Sequence, residues 1–233
     1  VCTGKNTSSN AVQHIRHYYD TYSFIGGTGF TNSNYTTDSS INGRGRKTGS
    51  VISVLETTEK VYVAYYYNSK GELIKQVESN NMSGHDVHAY TYTFTGQPAS
   101  MTHTHTASGK PTITEVLTYT YDHGERLTKV THKLNNAAAV TIAEYTYDKY
   151  GRVASKTMHG NTTSNKVDYT YNIRGWVTDV VYPYFRQTLT YNNGTAGFNG
   201  NITKMTWRTA NNSEQNYSFT YDGANRMLDA IYS

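Results

Sequence analysis

The chain has 233 residues, 36% of them hydrophobic, and carries 21 Lys or Arg against 17 Asp or Glu, a mild net charge of +4. Tyr (23) and Thr (36) make up a quarter of the chain and Leu appears only seven times, a usage that favours strands and excludes a helical bundle. Aromatics at 13% exclude a long disordered tail, no apolar run approaches the roughly 20 residues of a membrane-spanning helix, and the scattered charge offers nucleic acid no phosphate track.

Val1-Cys2-Thr3 opens the chain without a basic-then-apolar leader, so a targeting signal is expected to be absent or already removed. The single Cys2 can form neither an internal disulfide nor a CxxC motif. Val12–Phe24 alternates as a strand does, Gly26–Gly49 reads as a polar, Gly-rich and poorly ordered loop, and Val51–Leu55 with Val61–Tyr67 reads as a hairpin around Glu56–Lys60. Arg44, Arg46 and Lys47 are the only clustered cations and read as a solvated loop. Residues 1–60 thus form a strand-and-loop lead-in.

From residue 61 to 233 one pattern recurs about seven times: aromatic-Thr-aromatic, Asp or Asn, two or three residues, Gly, a polar residue, an apolar residue. Its copies are YYYNSKGEL (Tyr67, Gly71, Leu73), a weak one at Tyr92–Gly96, and YTYDHGERL (Tyr121, Asp122, Leu127) with its Gly one place early. YTYDKYGRV (Tyr147, Asp148, Gly151, Arg152) and YTYNIRGWV (Tyr171, Asn172, Gly175) follow. A copy starting at Leu189 carries an insertion and resumes at Gly200, and FTYDGANRM (Tyr221, Asp222, Arg226) ends the series with Asn225 in place of Gly. The closing apolar residues Leu73, Leu127, Val153, Val177, Ile202 and Met227 are 54, 26, 24, 25 and 25 residues apart, the first gap spanning two units.

Each unit reads as one β-hairpin. Tyr-Thr-Tyr alternates with the period of a strand, Asp or Asn opens a turn by bonding to the backbone two residues on, and Gly supplies the positive φ that closes it. A second strand follows, as at Val153–Thr157 or Ile202–Trp207, and polar stretches such as Lys133–Ala137 and Gly160–Lys166 turn the chain back. Stacked in order, seven hairpins extend a sheet by roughly 65 Å, which right-handed twist must coil or close. The expected fold is all-β: hairpin repeats in one long, spiralling antiparallel sheet, with an open edge at Leu228–Ser233.

The aromatic-x-Tyr-Asp-x-x-Gly-Arg-Leu pattern resembles the YD repeat of the bacterial Rhs family, which includes toxin-complex subunits, cell-wall-associated proteins and teneurins. YTYDKYGRV is close to a consensus copy, and YNIRGW at 171–176 and FNGNI at 198–202 are similar to Rhs phrases. The resemblance covers 61–233 well and Val12–Leu55 loosely. It implies a spiralling sheet wound into a hollow shell that encloses a C-terminal toxin or presents an adhesive surface, in a secreted or cell-surface protein. No segment ending the repeats, toxin domain or autocleavage residues are found here, so the chain reads as a piece of shell. The implied partners are a polypeptide cargo or neighbouring repeats of a longer parent chain.

No enzymatic centre is expected. Asp122, Asp148 and Asp222 recur where every turn needs an acceptor, whereas a catalytic pair would be unique, and Glu115 and Glu144 do not share a repeat position. No G-x-S-x-G elbow occurs, and GRGRKTGS at 43–50 lacks the strand-to-helix context of a phosphate loop. His103 and His105 alternate on one strand face with His85 and His88 nearby, but a His-Thr-His in a Thr-rich stretch reads as surface decoration, so no metal and no cofactor are expected. The tyrosine rows are expected to hold adjacent hairpins together, and Arg126, Arg152 and Arg226 to pair with neighbouring turn carboxylates or carbonyls. Trp207 and Phe185 lie outside the pattern and are the candidates for a local surface contact. Through these aromatics the alternative function is a cell-surface carbohydrate-binding or adhesion module.

Overall fold

The structure, a computed structural model, describes residues 13–37, 43–160, 163–192, 198–210 and 212–233. Cys2 lies outside the described residues. Among them sixteen strands form one antiparallel sheet whose spatial order is the chain order and which does not close. The only helical element among them is a single 3₁₀ turn at Thr163–Asn165.

The strands pair as consecutive hairpins: β1 (Ile15–Tyr19) with β2 (Lys47–Ser53), β3 (Lys60–Tyr67) with β4 (Leu73–Ser79), β5 (His85–Tyr92) with β6 (Pro98–His105), and β7 (Ile113–Tyr121) with β8 (Leu127–Leu134). They continue as β9 (Val140–Tyr147) with β10 (Val153–Met158), β11 (Lys166–Tyr171) with β12 (Val177–Tyr182), β13 (Phe185–Thr190) with β14 (Lys204–Thr209), and β15 (Gln215–Tyr221) with β16 (Met227–Tyr232). The expected all-β hairpin array is therefore the fold.

One turn chemistry explains the hairpins. In the β7–β8 turn the Asp122 N–H donates to the Arg126 carbonyl and the Glu125 N–H to the Asp122 carbonyl, and the same pair of bonds recurs at Asn68–Glu72, Asp148–Arg152, Asn172–Trp176 and Asp222–Arg226. The fourth turn residue has positive φ: Gly71, Gly96, Gly151 and Gly175, with Glu125 and Asn225 at φ 62° where Gly is missing. The ladder slips by one residue beside these turns, as between Tyr66 and Tyr67 or Thr220 and Tyr221, so each loop is a bulged hairpin turn.

Two expectations are refined. The weak copy is framed two residues earlier: Tyr90-Thr91-Tyr92 is the strand, and Thr93 takes the turn position, its Oγ1 accepting from the Gln97 N–H at 3.1 Å. Pro98 then opens β6 opposite Tyr92, in the place of the apolar closing residue. The seven hairpins expected from residue 61 on are there, β3–β4 to β15–β16, and the lead-in before them holds a further one, β1–β2. In β1–β2 the Asp20 N–H donates to the Arg46 carbonyl, Tyr19 pairs with Lys47 after a slip at Tyr18/Tyr19, and Gly45 has φ 74°. This is the same turn, with the chain between Asp20 and Gly43 inserted into it. The segment GRGRK is the closing half of a split repeat.

Residues 21–37 of that insertion pack on the sheet, where the composition suggests a poorly ordered loop. Phe30 and Tyr35 within it are buried, because their apolar surface is worth more against the sheet than in water.

The chain divides into two compact units, Val1–Tyr119 with His132–Ala139, and Thr120–Thr131 with Val140–Ser233. In the first unit Phe30 and Tyr35 pack with Ala64, Tyr66 and Val77, joined by Tyr18, Tyr22, Phe24 and Val87 at their margin. Tyr22 stacks on Tyr66 at 5.3 Å and 7°, and Phe30 meets Tyr62 edge-on at 5.3 Å. The opposite face of β5 and β6 carries Asp86, His88, His103 and His105, since Asp86 pairs with His105 and His88 with His103. In the second unit the buried residues are few, Val130, Ala143 and Ser155, and most strand side chains are half exposed.

Candidate functional site

The repeat residues converge on a device that joins one hairpin to the next. In six of the repeats the tyrosine just before the turn donates its hydroxyl to the backbone carbonyl of the residue that closes the turn of the preceding hairpin. In the first unit Tyr67 donates to Lys47 O at 2.9 Å and Tyr92 to Leu73 O at 2.7 Å. In the second, Tyr147 donates to Leu127 O (2.7 Å), Tyr171 to Val153 O (2.9 Å), Tyr191 to Val177 O (2.8 Å) and Tyr221 to Ile202 O (2.9 Å). Burial pushes the Tyr92, Tyr147, Tyr171 and Tyr191 hydroxyls above the ordinary phenol range, so all stay protonated donors at neutral pH.

In four of the six the residue just before that carbonyl packs on the ring of the same tyrosine. Arg46 lies 5.6 Å from the Tyr67 ring centroid, Arg126 4.6 Å from Tyr147 and Arg152 4.5 Å from Tyr171, while Trp176 packs on Tyr191 at 5.0 Å. Each arginine of the YD type is fixed from its own turn. Asp148 Oδ1 accepts the Tyr150 and Arg152 backbone N–H groups at 2.8 and 3.0 Å, and its Oδ2 accepts Arg152 Nε at 2.7 Å. Asp122 with Arg126 and Asp222 with Arg226 repeat this. In Asp122 the hydrogen bonds from Arg126 come first among the causes that hold its carboxyl below the usual range. Arg152 then reaches the Asn172 carbonyl of the next hairpin at 3.2 Å.

Each of these arginines therefore pairs with the carboxylate of its own turn, and Arg152 also reaches the carbonyl of the neighbouring turn, one of the partners the sequence reading expected. Arg46 and Lys47 are likewise engaged: the Lys47 ammonium lies 4.6 Å from the Tyr65 ring centroid. The turn glycines leave room for this layer. A Cβ on Gly71 would sit 1.9 Å from the Arg46 guanidinium, and one on Gly200 3.1 Å from the Trp176 ring.

The two candidate contact residues are not brought into one site. Trp207 is half-buried, stacked on Tyr217 at 5.6 Å and 18°, with Tyr232 beside it at 6.3 Å. Phe185, at the start of β13, lines a shallow depression with Tyr182, Arg186 and Arg208.

A further cluster lies on the β5–β6 face of the first unit. Asp86 Oδ1 is 2.9 Å from His103 Nε2 and 2.7 Å from His105 Nδ1, and all three side chains are about three-quarters buried. Asn80 Nδ2 donates to Asp86 Oδ2 at 3.0 Å. Glu115 stands 3.5 Å from His103 Nδ1 and 3.7 Å from His132 Nε2. His88 stacks on His103 at 4.4 Å and 7°. Sequence reading weighed the histidines alone. The carboxylate that completes the group sits on the partner strand, and the signal available was the alternation Asp86-Val87-His88 opposite His103-Thr104-His105.

These features define an all-β repeat protein whose hairpins are clasped in series. No family model matches the chain, and no curated protein matches it. Among solved structures it is similar to chains in the crystal structures of TcdB2-TccC3-Cdc42 (TM-score 0.44, 13% identity, 96% of this chain and 14% of that one) and TcdB2-TccC3 (0.45, 12%, 92% and 14%). A third is the crystal structure of TcdB2-TccC3-TEV (0.43, 14%, 77% and 11%). The chain thus spans one-seventh or less of the length of the chains it matches.

Proposed function

We propose that the chain is a non-enzymatic Rhs/YD-type segment of β-shell, part of a secreted or cell-surface bacterial protein that encloses or presents another polypeptide. The observation that carries this reading is the clasp. The most regular residues of the sequence, Tyr, Asp or Asn, Gly and Arg, are engaged in joining each hairpin to the one before it. Such an array extends by adding hairpins, which suits a wall better than a single ligand pocket. The test is proteolysis of the parent polypeptide together with whatever its reading frame encodes beyond the repeats. Protection of that segment while the repeats are intact, and its digestion once they are unfolded, is the expected result; digestion at the rate of the free segment in both states refutes enclosure.

The glycan-binding alternative draws on Trp207. Its ring is stacked on Tyr217, so one aromatic face is committed within the sheet. Binding on a glycan array that disappears in Trp207→Ala would favour that alternative.

A further inference from the structure

Asp86, His103 and His105 present one carboxylate oxygen and two imidazole nitrogens, all within 4.8 Å of one another. From this geometry we infer that the β5–β6 hairpin binds a single zinc-class divalent ion through Asp86 Oδ1, His103 Nε2 and His105 Nδ1.

Ligand chemistry selects the class. Two imidazoles and a carboxylate suit Zn²⁺ and its neighbours among the later first-row metals, not Ca²⁺ or Mg²⁺, which prefer all-oxygen shells. Bonds of roughly 2.0–2.2 Å place tetrahedral ligands about 3.4 Å apart. The present separations of 2.7 and 2.9 Å are hydrogen-bond distances, so an ion enters by a shift of about half an ångström along side-chain torsions. The strands hold the rest. Asp86 faces His105 across the ladder, and His103 is two residues along on the same face.

The outer partners of a metal site are also present. A ligating imidazole ordinarily donates its other N–H to a carboxylate, and Glu115 Oε2 stands at that nitrogen of His103. Asn80 orients the second oxygen of Asp86. Beside them His88 stacks on His103 and has a buried Nδ1 with no hydrogen-bond partner. Three protein ligands leave a position for water. On binding, the metal takes the place of the protons that His103 Nε2 and His105 Nδ1 share with Asp86, and each neutral ring keeps its one proton on the other nitrogen, that of His103 on Nδ1 toward Glu115. The ion then ties the two strands of one hairpin together on the face away from the aromatic core.

The test is titration of the full chain with Zn²⁺ against a chromophoric chelator, with Co²⁺ absorption as a readout of coordination. The expected result is one ion per chain and low-symmetry, four-coordinate Co²⁺ bands. Asp86→Asn and His105→Ala are expected to lose the site, and Glu115→Gln to weaken it by roughly 10–100-fold. His123→Ala, a substitution in an exposed turn, is expected to change nothing. Circular dichroism separates loss of the ligand from loss of the fold, and Asp86→Asn is near-isosteric for that purpose. No stoichiometric binding by the wild type, equal binding by folded Asp86→Asn, or equal loss in His123→Ala would each overturn the inference.

Discussion

Replacing Tyr147 by Phe isolates the clasp from the packing around it. The ring stays beneath the Arg126 guanidinium at 4.6 Å, and only the hydroxyl bond to the Leu127 carbonyl, 2.7 Å long, is removed. A net hydrogen bond of this kind contributes about 1 kcal/mol, toward the lower end where water can reach the abandoned carbonyl. Tyr147 is half-buried, so about 1 kcal/mol is the expected loss. In an array stabilised by nearest neighbours that loss is felt locally before it is felt globally. Amide hydrogen exchange at Asp148, whose N–H donates to Arg152 O, should therefore quicken by about fivefold, the factor equivalent to 1 kcal/mol. Tyr145→Phe, on the same strand and face but outside the clasp, is the control and should change exchange far less. Unchanged exchange in Tyr147→Phe, or an equal change in Tyr145→Phe, refutes the hydroxyl as the joining element.

Gly151→Ala should destabilise the β9–β10 turn by about 1–2 kcal/mol through its φ of 82° alone, since the new Cβ would meet Arg126 only at an ordinary 3.5 Å. Glu125→Gly, at φ 62°, should move the midpoint of chemical unfolding in the opposite direction by about 0.5–1 kcal/mol; a loss there would contradict the turn assignment. Arg152→Lys gives up the planar contact with Tyr171 and the bond to Asn172 O, so the same measurement should show a cost of about 1 kcal/mol that Lys156→Arg does not. Burial raises the Asp86 carboxyl, but the hydrogen bonds from His105, His103 and Asn80 outweigh it and hold the group down at about 2. With the folded value below the unfolded one, this group's stabilisation is complete above about pH 5 and lost as the pH falls toward 2. Carboxyl NMR titration checks this, and an Asp86 that titrates near 4 would show that the cluster does not form.

Hairpins were legible because each is written locally. Tyr-Thr-Tyr sets the strand period, and Asp148 and Gly151 lie within four residues of each other, so turn chemistry shows in any short window. What lies between hairpins was not. The bond from Tyr171 to Val153 spans 18 residues, and nothing in Tyr itself distinguishes a hydroxyl that donates to the preceding hairpin from a ring that merely stacks. The period of the carbonyl partners was visible, but it marked them as apolar residues, while the function uses their backbone. Asp86 escaped notice for the same reason: its partners sit 17 and 19 residues away on the next strand, and pairing register cannot be read from histidine spacing alone.

The missed first hairpin shows how far the repeat can be stretched without losing its structure. Asp20 and Gly45 are separated by an insertion, yet the Asp20 N–H still donates to the Arg46 carbonyl as Asp148 does to Arg152, and the Asp20 carboxylate takes the Gly45 N–H at 2.6 Å where a contiguous turn uses its backbone carbonyl. Closing a longer loop costs only about 0.6 kcal/mol for each doubling of length, so the two halves of a turn can be parted at small expense once the strands pair. The inserted chain recovers more than this by placing Phe24, Phe30 and Tyr35 against Tyr62, Tyr66 and Ala64. The copy that starts at Leu189 follows the same rule, with its extra residues between Tyr191 and Gly200 and its clasp to Val177 retained. Both insertions enter at the bulged turn, not at the connection from one hairpin to the next, because the clasp depends on the register there. The two long insertions thus lie within bulged turns, while the hydroxyl bonds from Tyr67 to Lys47 and from Tyr191 to Val177 are kept beside them.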